Sequence, residues 1–187
     1  MPASLRLNRL IENLLNMSRL ESGLLSVRLD WCDINDLVNK VTGDLNDELK
    51  PFSLSVSIPE NMPLVKIDFG LMDQVLYNLL YNATQYAPVA SEINLTISHS
   101  DNQLSMVLSD KGPGFPEADL KKVFHKFYRA EGSATGGLGL GLSIARGFVE
   151  AHNGTIKVAN HPEGGAQFSI QIPSENPDIR NLKFESL

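Results

Sequence analysis

Two asparagines one helical turn apart, Asn78 and Asn82 in YNLLYNATQYAP, put their amides on one face of a helix, beside an apolar stripe. Asparagine is a mediocre helix former, so the pair asks for a reason. Either the amides are solvated or locally bonded, or their oxygens serve a hard cation. Mg2+ takes oxygen ligands and fills the rest of its shell with water and phosphate, so one or two neutral protein oxygens suffice. Asp110 closes an apolar strand and abuts Gly112 and Gly114 in DKGPG. A carboxylate there caps the turn, or it accepts a hydrogen bond from an exocyclic amine lying on bare glycine backbone. The second arrangement selects adenine over guanine, whose carbonyl would face the carboxylate.

Residues 136–146, GGLGLGLSIAR, set Gly139 and Gly141 between Leu138, Leu140 and Leu142, and a helical pattern follows. Glycine lets another group approach the main chain closely. A helix N-terminus offers unpaired N–H groups and partial positive charge, which suit phosphate. The stretch is either a phosphate cradle or a glycine-rich hinge between packed elements. Upstream, Phe124, Phe127 and Tyr128 alternate with Lys126 and Arg129 just before the small residues 131–135, EGSAT. They form a satellite core with snorkelling cations, or a movable segment whose Arg129 closes on a triphosphate.

The elements that must position these groups follow from periodicity and punctuation. Residues 5–22 have an apolar helical stripe, with Gly23 as the C-cap, and read as half of a helical hairpin or as a helix docked on the main domain. Val27, Leu29 and Trp31 alternate as a short strand. Asp33 then caps a helix that carries Ile34 to Leu49 and stops before Pro51. Residues 52–58 alternate as a half-buried strand, LVKI at 64–67 gives a brief one, and Asp68 caps a helix reaching about Tyr86. Strands through Ile93–Ile97 and Leu104–Leu108 turn at Asp101-Asn102. The helix after the Gly-Leu run places Leu142, Ala145, Phe148, Val149 and His152 inward, and a hairpin across HPEGG closes the sheet at Pro173. The sum is an α/β two-layer sandwich: a mixed, mostly antiparallel sheet covered on one face by helices.

At 187 residues with a net charge of −6, the chain holds one good core and lacks the basic footprint of a nucleic-acid binder. Cys32 alone excludes an internal disulfide and fits a reducing compartment. No apolar run reaches bilayer length, so this piece is expected to be soluble and cytoplasmic, with any membrane anchor elsewhere in a parent chain.

In this order and spacing the motifs resemble the catalytic, ATP-binding domain of sensor histidine kinases, of the Bergerat (GHKL) fold. NLLYNATQYAP looks like the N box, DKGPG the first glycine box, FHKFYR the F box and GLGLGLSIAR the second glycine box. The likeness covers about residues 27–173, and NLLNMSRLESG looks like the second helix of the dimerisation and phosphotransfer hairpin. The RLESG…W junction and HPEGGAQF are most similar to KdpD-type potassium (turgor) sensor kinases. The resemblance implies that Asn82, helped by Asn78, ligates Mg2+ and that Asp110, with Gly112 and Gly114, binds the adenine of ATP. Tyr86 would line the nucleotide site and Arg129 would reach the γ-phosphate. Gly137, Leu138, Gly139, Leu140, Gly141 and Leu142 would form the phosphate cradle, with the leucines anchored in the core. It also implies three regions: a hairpin remnant at 1–25, the ATP-binding domain at 26–173 with a lid at about 115–137, and a loose tail at 174–187. The partners implied are the histidine-bearing hairpin, a downstream response regulator and a homodimeric parent; contact with nucleic acid or membrane is not expected.

Two departures stand out. Gln85 occupies a place where the family usually carries Lys or Arg, and Lys111 one that is commonly Asn. None of the four histidines, in SHSD, FHKF, AHNG and NHPE, sits in an H box, so the phosphoacceptor is expected on a helix outside the chain. The related gyrase, Hsp90 and mismatch-repair ATPases carry Glu where this chain has Asn78, and an amide cannot take a proton from water. Transfer to imidazole is therefore favoured over hydrolysis, with a GHKL ATPase less favoured. A pseudo-kinase serving only as an interaction module is the other alternative. A Rossmann site is disfavoured because the spacing is GxGxG after a loop, and no GxxxxGK[ST] P-loop exists.

Overall fold

The computed structural model describes residues 3–23, 25–129 and 138–175, with side chains described from residue 11 onward. The chain opens with helix α1 (Ala3–Glu21), which ends where Gly23 takes φ +65°. The strand expected over 27–31 shrinks to β1 (Asp30–Cys32), paired antiparallel with β3 (Val65–Ile67). The reason is a distant partner: the Arg28 N–H donates to Asp68 Oδ2 at 2.8 Å, so the ladder stops at Asp30 opposite Ile67.

Asp33 caps α2 (Ile34–Asp44), accepting the Asn35 N–H at 2.7 Å. The single helix expected to Leu49 is instead broken. Gly43 and Asp44 are poor helix formers, and Leu45 leaves helical geometry at φ −100°, ψ 13° before the short α3 (Asn46–Leu49). The kink lets Leu45 and Leu49 both bury.

The main sheet has the order β2-β4-β5-β7-β6, where β2 is Ser53–Ser57, β4 Glu92–Ser100, β5 Gln103–Ser109, β6 Thr155–Asn160 and β7 Ala166–Pro173. Only the edge pair β2–β4 is parallel. Asp101 and Asn102, at φ 51° and 57°, make the two-residue turn from β4 to β5, a geometry whose twist suits a hairpin. Ile93, Leu95, Ile97, Leu104, Met106, Leu108, Phe168, Ile170 and Ile172 face one side and are buried. Over them lie α2, α4 (Phe69–Tyr86) and α5 (Gly141–Ala151), giving the expected two-layer α/β sandwich.

Asp68 caps α4 through the Leu71 N–H at 3.1 Å. Its own N–H donates at 3.0 Å to Nε2 of the buried His152, whose Nδ1–H donates to the Phe148 carbonyl at 2.7 Å. One imidazole thereby ties the start of α4 to the end of α5. Helix α1 docks across these two helices: Met17 is buried, the Asn16 amide donates to Gln74, and Leu20 lies where a Cβ on Gly147 would meet it at 2.7 Å. Ile11, Leu14 and Leu15 remain exposed. Ser174, expected in the loose tail, is in fact buried. It donates its N–H to the Asn102 carbonyl and accepts the Lys66 N–H at its hydroxyl, each at 2.8 Å.

Candidate functional site

Helix periodicity places Asn78, Asn82 and Tyr86 in one half-buried line along α4. At one end, Asn78 Oδ1 lies 3.4 Å from the point a Cβ on Gly141 would occupy. At the other, the Tyr86 carbonyl lies 3.1 Å from the corresponding point on Gly112. A line of about 12 Å, at 1.5 Å per residue, thus joins the two glycine motifs.

Asp110, 5% exposed, sits just past the end of β5. Its N–H donates to the Ala166 carbonyl at 3.0 Å. Oδ1 accepts from the N–H of Gly112 at 2.7 Å and from that of Ala166 at 3.3 Å. Burial pushes its pKa above the ordinary carboxylate value, and these two N–H groups pull it part of the way back. Oδ2 has no partner among the described residues, so one carboxylate oxygen is held and the other is available. Bare backbone is needed beside it: a Cβ on Gly112 would stand 2.9 Å from Oδ1.

The N-terminus of α5 differs from those of α2 and α4, where aspartates cap. Leu140 precedes α5 and no side chain caps it, which leaves N–H groups of the first turn for another acceptor. Gly139 takes φ +68°, and a Cβ there would lie 2.6 Å from the Tyr128 carbonyl. Its own carbonyl accepts the Phe127 N–H at 3.0 Å. Phe127 itself has φ 62°, uncommon and strained for a bulky residue. Leu140 is buried and Leu142 packs against the core, but Leu138 is 40% exposed. The expectation that all three leucines anchor the run is therefore corrected: the reversal at Gly139 turns Leu138 outward. Gly137 lies outside the described residues.

The aromatic segment divides. Phe124 packs edge-on to Phe168 at 6.4 Å between centroids, and Phe115 does so at 6.2 Å. Phe127 is 64% exposed. The Asp119 carboxyl is held low by Lys122 at 3.1 Å. Lys126 pairs with Glu21 at the end of α1. Arg129 is exposed and ends the described part of the expected lid; residues 130–137 lie outside it. Lys111 points to Glu163, 3.0 Å away, and Gln85 reaches only Thr84 Oγ1 at 3.4 Å.

Sequence reasoning missed the contribution of the β6–β7 hairpin. A Cβ on Gly165 would lie 1.9 Å from the Asp110 carbonyl, and Ala166 supplies one of the N–H groups to the carboxylate. The double glycine of HPEGG carries that signal, but neither its hairpin turn nor its family likeness points to Asp110. Among the described residues no group of three His, Cys, Asp or Glu gathers to hold a metal. A cation here would rest on the Asn78 and Asn82 oxygens and on oxygens of its ligand. Neither amide is otherwise bonded among the described residues, and the donors suit Mg2+.

A family model described as histidine kinase-, DNA gyrase B-, and HSP90-like ATPase matches residues 68–176. Over 180 residues the chain is 37% identical to the sensor protein KdpD of Escherichia coli strain K12, covering 95% of this chain and 20% of that protein. The chain thus spans about a fifth of the length of this relative and of the KdpD sensor protein of Clostridium acetobutylicum. The crystal structure of full-length ShkA in complex with AMPPNP matches with a TM-score of 0.80 at 25% identity, over 91% of this chain and 36% of that one. The catalytic domain of the histidine kinase ThkA, in a nucleotide-free form, matches with a TM-score of 0.70 at 25% identity, over 78% of this chain and 95% of that one.

Proposed function

The chain belongs to the histidine kinase-, DNA gyrase B- and HSP90-like ATPase family, and on that premise we propose that it binds Mg-ATP and donates the γ-phosphoryl group to a histidine outside this chain. The observation that carries the proposal is the line Asn78–Asn82–Tyr86, which runs from the uncapped start of α5 to the Asp110 turn. It supplies, in order, a place for phosphates, two amide oxygens and a place for a base.

In this reading Asp110 Oδ2 accepts the adenine amine, and the backbone at Gly112 and Gly114 gives the ring a surface free of side chains. Tyr86 lines the same end. The first-turn N–H groups of α5, with the backbone of Gly137, Gly139 and Gly141, hold the phosphates. Asn82 and Asn78 hold Mg2+, which when bound neutralises charge on the phosphate oxygens. Arg129 is the cation for the γ-phosphate; Lys111, drawn to Glu163, is not.

Asn78 carries no carboxylate to activate water, which favours a nucleophilic acceptor over hydrolysis. His152 is no acceptor, since both of its ring nitrogens are bonded in the interior. The acceptor is a histidine on the dimerisation hairpin of a homodimeric parent, a KdpD-type potassium (turgor) sensor kinase that passes the group on to a response regulator. Residues 1–25 belong to that hairpin, residues 26–173 are the nucleotide domain with a lid at about 115–137, and the assembly works in the cytoplasm.

Calorimetric titration with ATP, with and without Mg2+, tests the reading, with GTP as control. ATP is expected to bind, more tightly with Mg2+, and GTP to bind far more weakly. Absence of ATP binding at millimolar concentration would leave the chain as an interaction module of the same fold.

A further inference from the structure

The turn that follows β5 is closed at both ends by one cross-strand pair. Asn160 and Ala166 are register partners at the turn end of the β6–β7 hairpin, flanking its connecting loop. Ala166 takes the upstream end of the turn, through its carbonyl to the Asp110 N–H at 3.0 Å and its N–H to Asp110 Oδ1 at 3.3 Å. Asn160 takes the downstream end with its side chain. Its Oδ1 accepts the Phe115 N–H at 2.8 Å and its Nδ2 donates to the Phe115 carbonyl at 2.8 Å.

A carboxamide has the donor and acceptor of a peptide group. Asn160 therefore makes with Phe115 the two bonds that a neighbouring strand would otherwise supply. Gly114 permits it, since a Cβ there would lie 2.6 Å from Asn160 Oδ1. Nδ2 also lies 3.2 Å from Glu117 Oε1, a bond that continues the clamp into the following segment. Once clamped, Phe115 lays its ring edge-on against Phe168.

We infer that Asn160 is a positioning residue for nucleotide recognition: it fixes the Gly112–Gly114 backbone relative to the Asp110 carboxylate, and so sets the span into which the base fits. The inference rests on the assignment of that turn to adenine. Loss of the clamp frees the downstream end of the turn while Ala166 still holds the upstream end. The ring then loses its surface although the carboxylate stays in place.

Asn160→Asp is the sharpest change, because it keeps the shape and the acceptor but turns a second carboxylate toward Glu117 and removes the donor to the Phe115 carbonyl. Asn160→Ser is the milder one, retaining a single bond. ATP and GTP affinities are measured by calorimetry for the unaltered chain and both variants, with circular dichroism to confirm folding. Asn160→Asp is expected to weaken ATP binding roughly tenfold or more, the loss of hydrogen bonds including one to a charged neighbour, and to bring the ATP/GTP ratio toward one. Asn160→Ser is expected to lose less of both. A general loss of structure would not shift the ratio in this graded way. If both variants keep the affinity and the ratio of the unaltered chain, the inference is overturned and the adenine site stands. If the unaltered chain itself does not prefer ATP over GTP, the adenine assignment falls and the inference falls with it.

Discussion

The amide oxygen of Asn78 lies 3.4 Å from the point a Cβ on Gly141 would occupy, so α4 meets the start of α5 with no side chain from residue 141 between them. That distance is ordinary contact for a methyl group. Gly141→Ala should therefore fold normally, with a melting temperature equal to or slightly above that of the parent, because alanine is the better helix former. The methyl would occupy space assigned to phosphate. ATP affinity is expected to fall at least tenfold in calorimetry, and unchanged affinity would remove the phosphates from this helix end.

Gly139→Ala should behave differently. Residue 139 has φ +68°, and its Cβ would approach the Tyr128 carbonyl to 2.6 Å. Strain and clash together predict a loss of about 1–3 kcal/mol in denaturant unfolding, on top of any loss of binding.

Asp110 is expected to reduce the stability of the empty protein. Its carboxyl is held above the ordinary value of 3.8, chiefly by burial. Above 3.8 and up to the raised folded value, the folded state holds more proton than the unfolded one, so stability falls as pH rises through that window. Asp110→Asn keeps the acceptor for Gly112 and Ala166 without the charge. The variant should melt higher than the parent at pH 7, lack the decline just above pH 3.8, and bind no ATP, since its N–H2 would face the adenine amine. Thermal melts across pH and one titration check all three.

Asn82→Ala removes an amide with no hydrogen-bond partner among the described residues, so the cost to folding should be within about 0.5 kcal/mol. What should vanish is the response of ATP binding to Mg2+. A calorimetric enhancement by Mg2+ equal to the parent's would place the metal elsewhere.

His152→Ala tests the scaffold. It strips a buried bridge of two hydrogen bonds, at 2.7 and 3.0 Å, and leaves the Asp68 N–H without its acceptor. The expected cost is about 3 kcal/mol, read as a drop of roughly 10 °C in the melting temperature.

Elements with strong local signals were legible in the sequence. Asp33 and Asp68 cap where they were expected to, because a cap is written in a few adjacent residues. The sheet face was legible through strict alternation in β4, β5 and β7. Features decided by distant partners were not. The strand at 27–31 was cut short by Asp68, forty residues away, and Ser174 is buried because its N–H reaches Asn102 and its hydroxyl meets the Lys66 N–H. The site divided in the same way. Asp110 and the glycines announce themselves by type and spacing, whereas Asn160 and Ala166 are ordinary residues until the hairpin folds back onto the turn. Leu138 was misjudged because alternation assumes an extended chain, and Gly139 reverses it.

Helix α5 is pinned at its far end by His152 and touched partway along by Leu20 of α1, at Gly147. One helix therefore touches three things in sequence: the candidate site at Gly141, helix α1 at Gly147 and, through His152, the capped start of α4. Its buried Ile144, Ala145, Phe148 and Val149 seat it on the core between those points, so the candidate site and the docked helix share a single packed support.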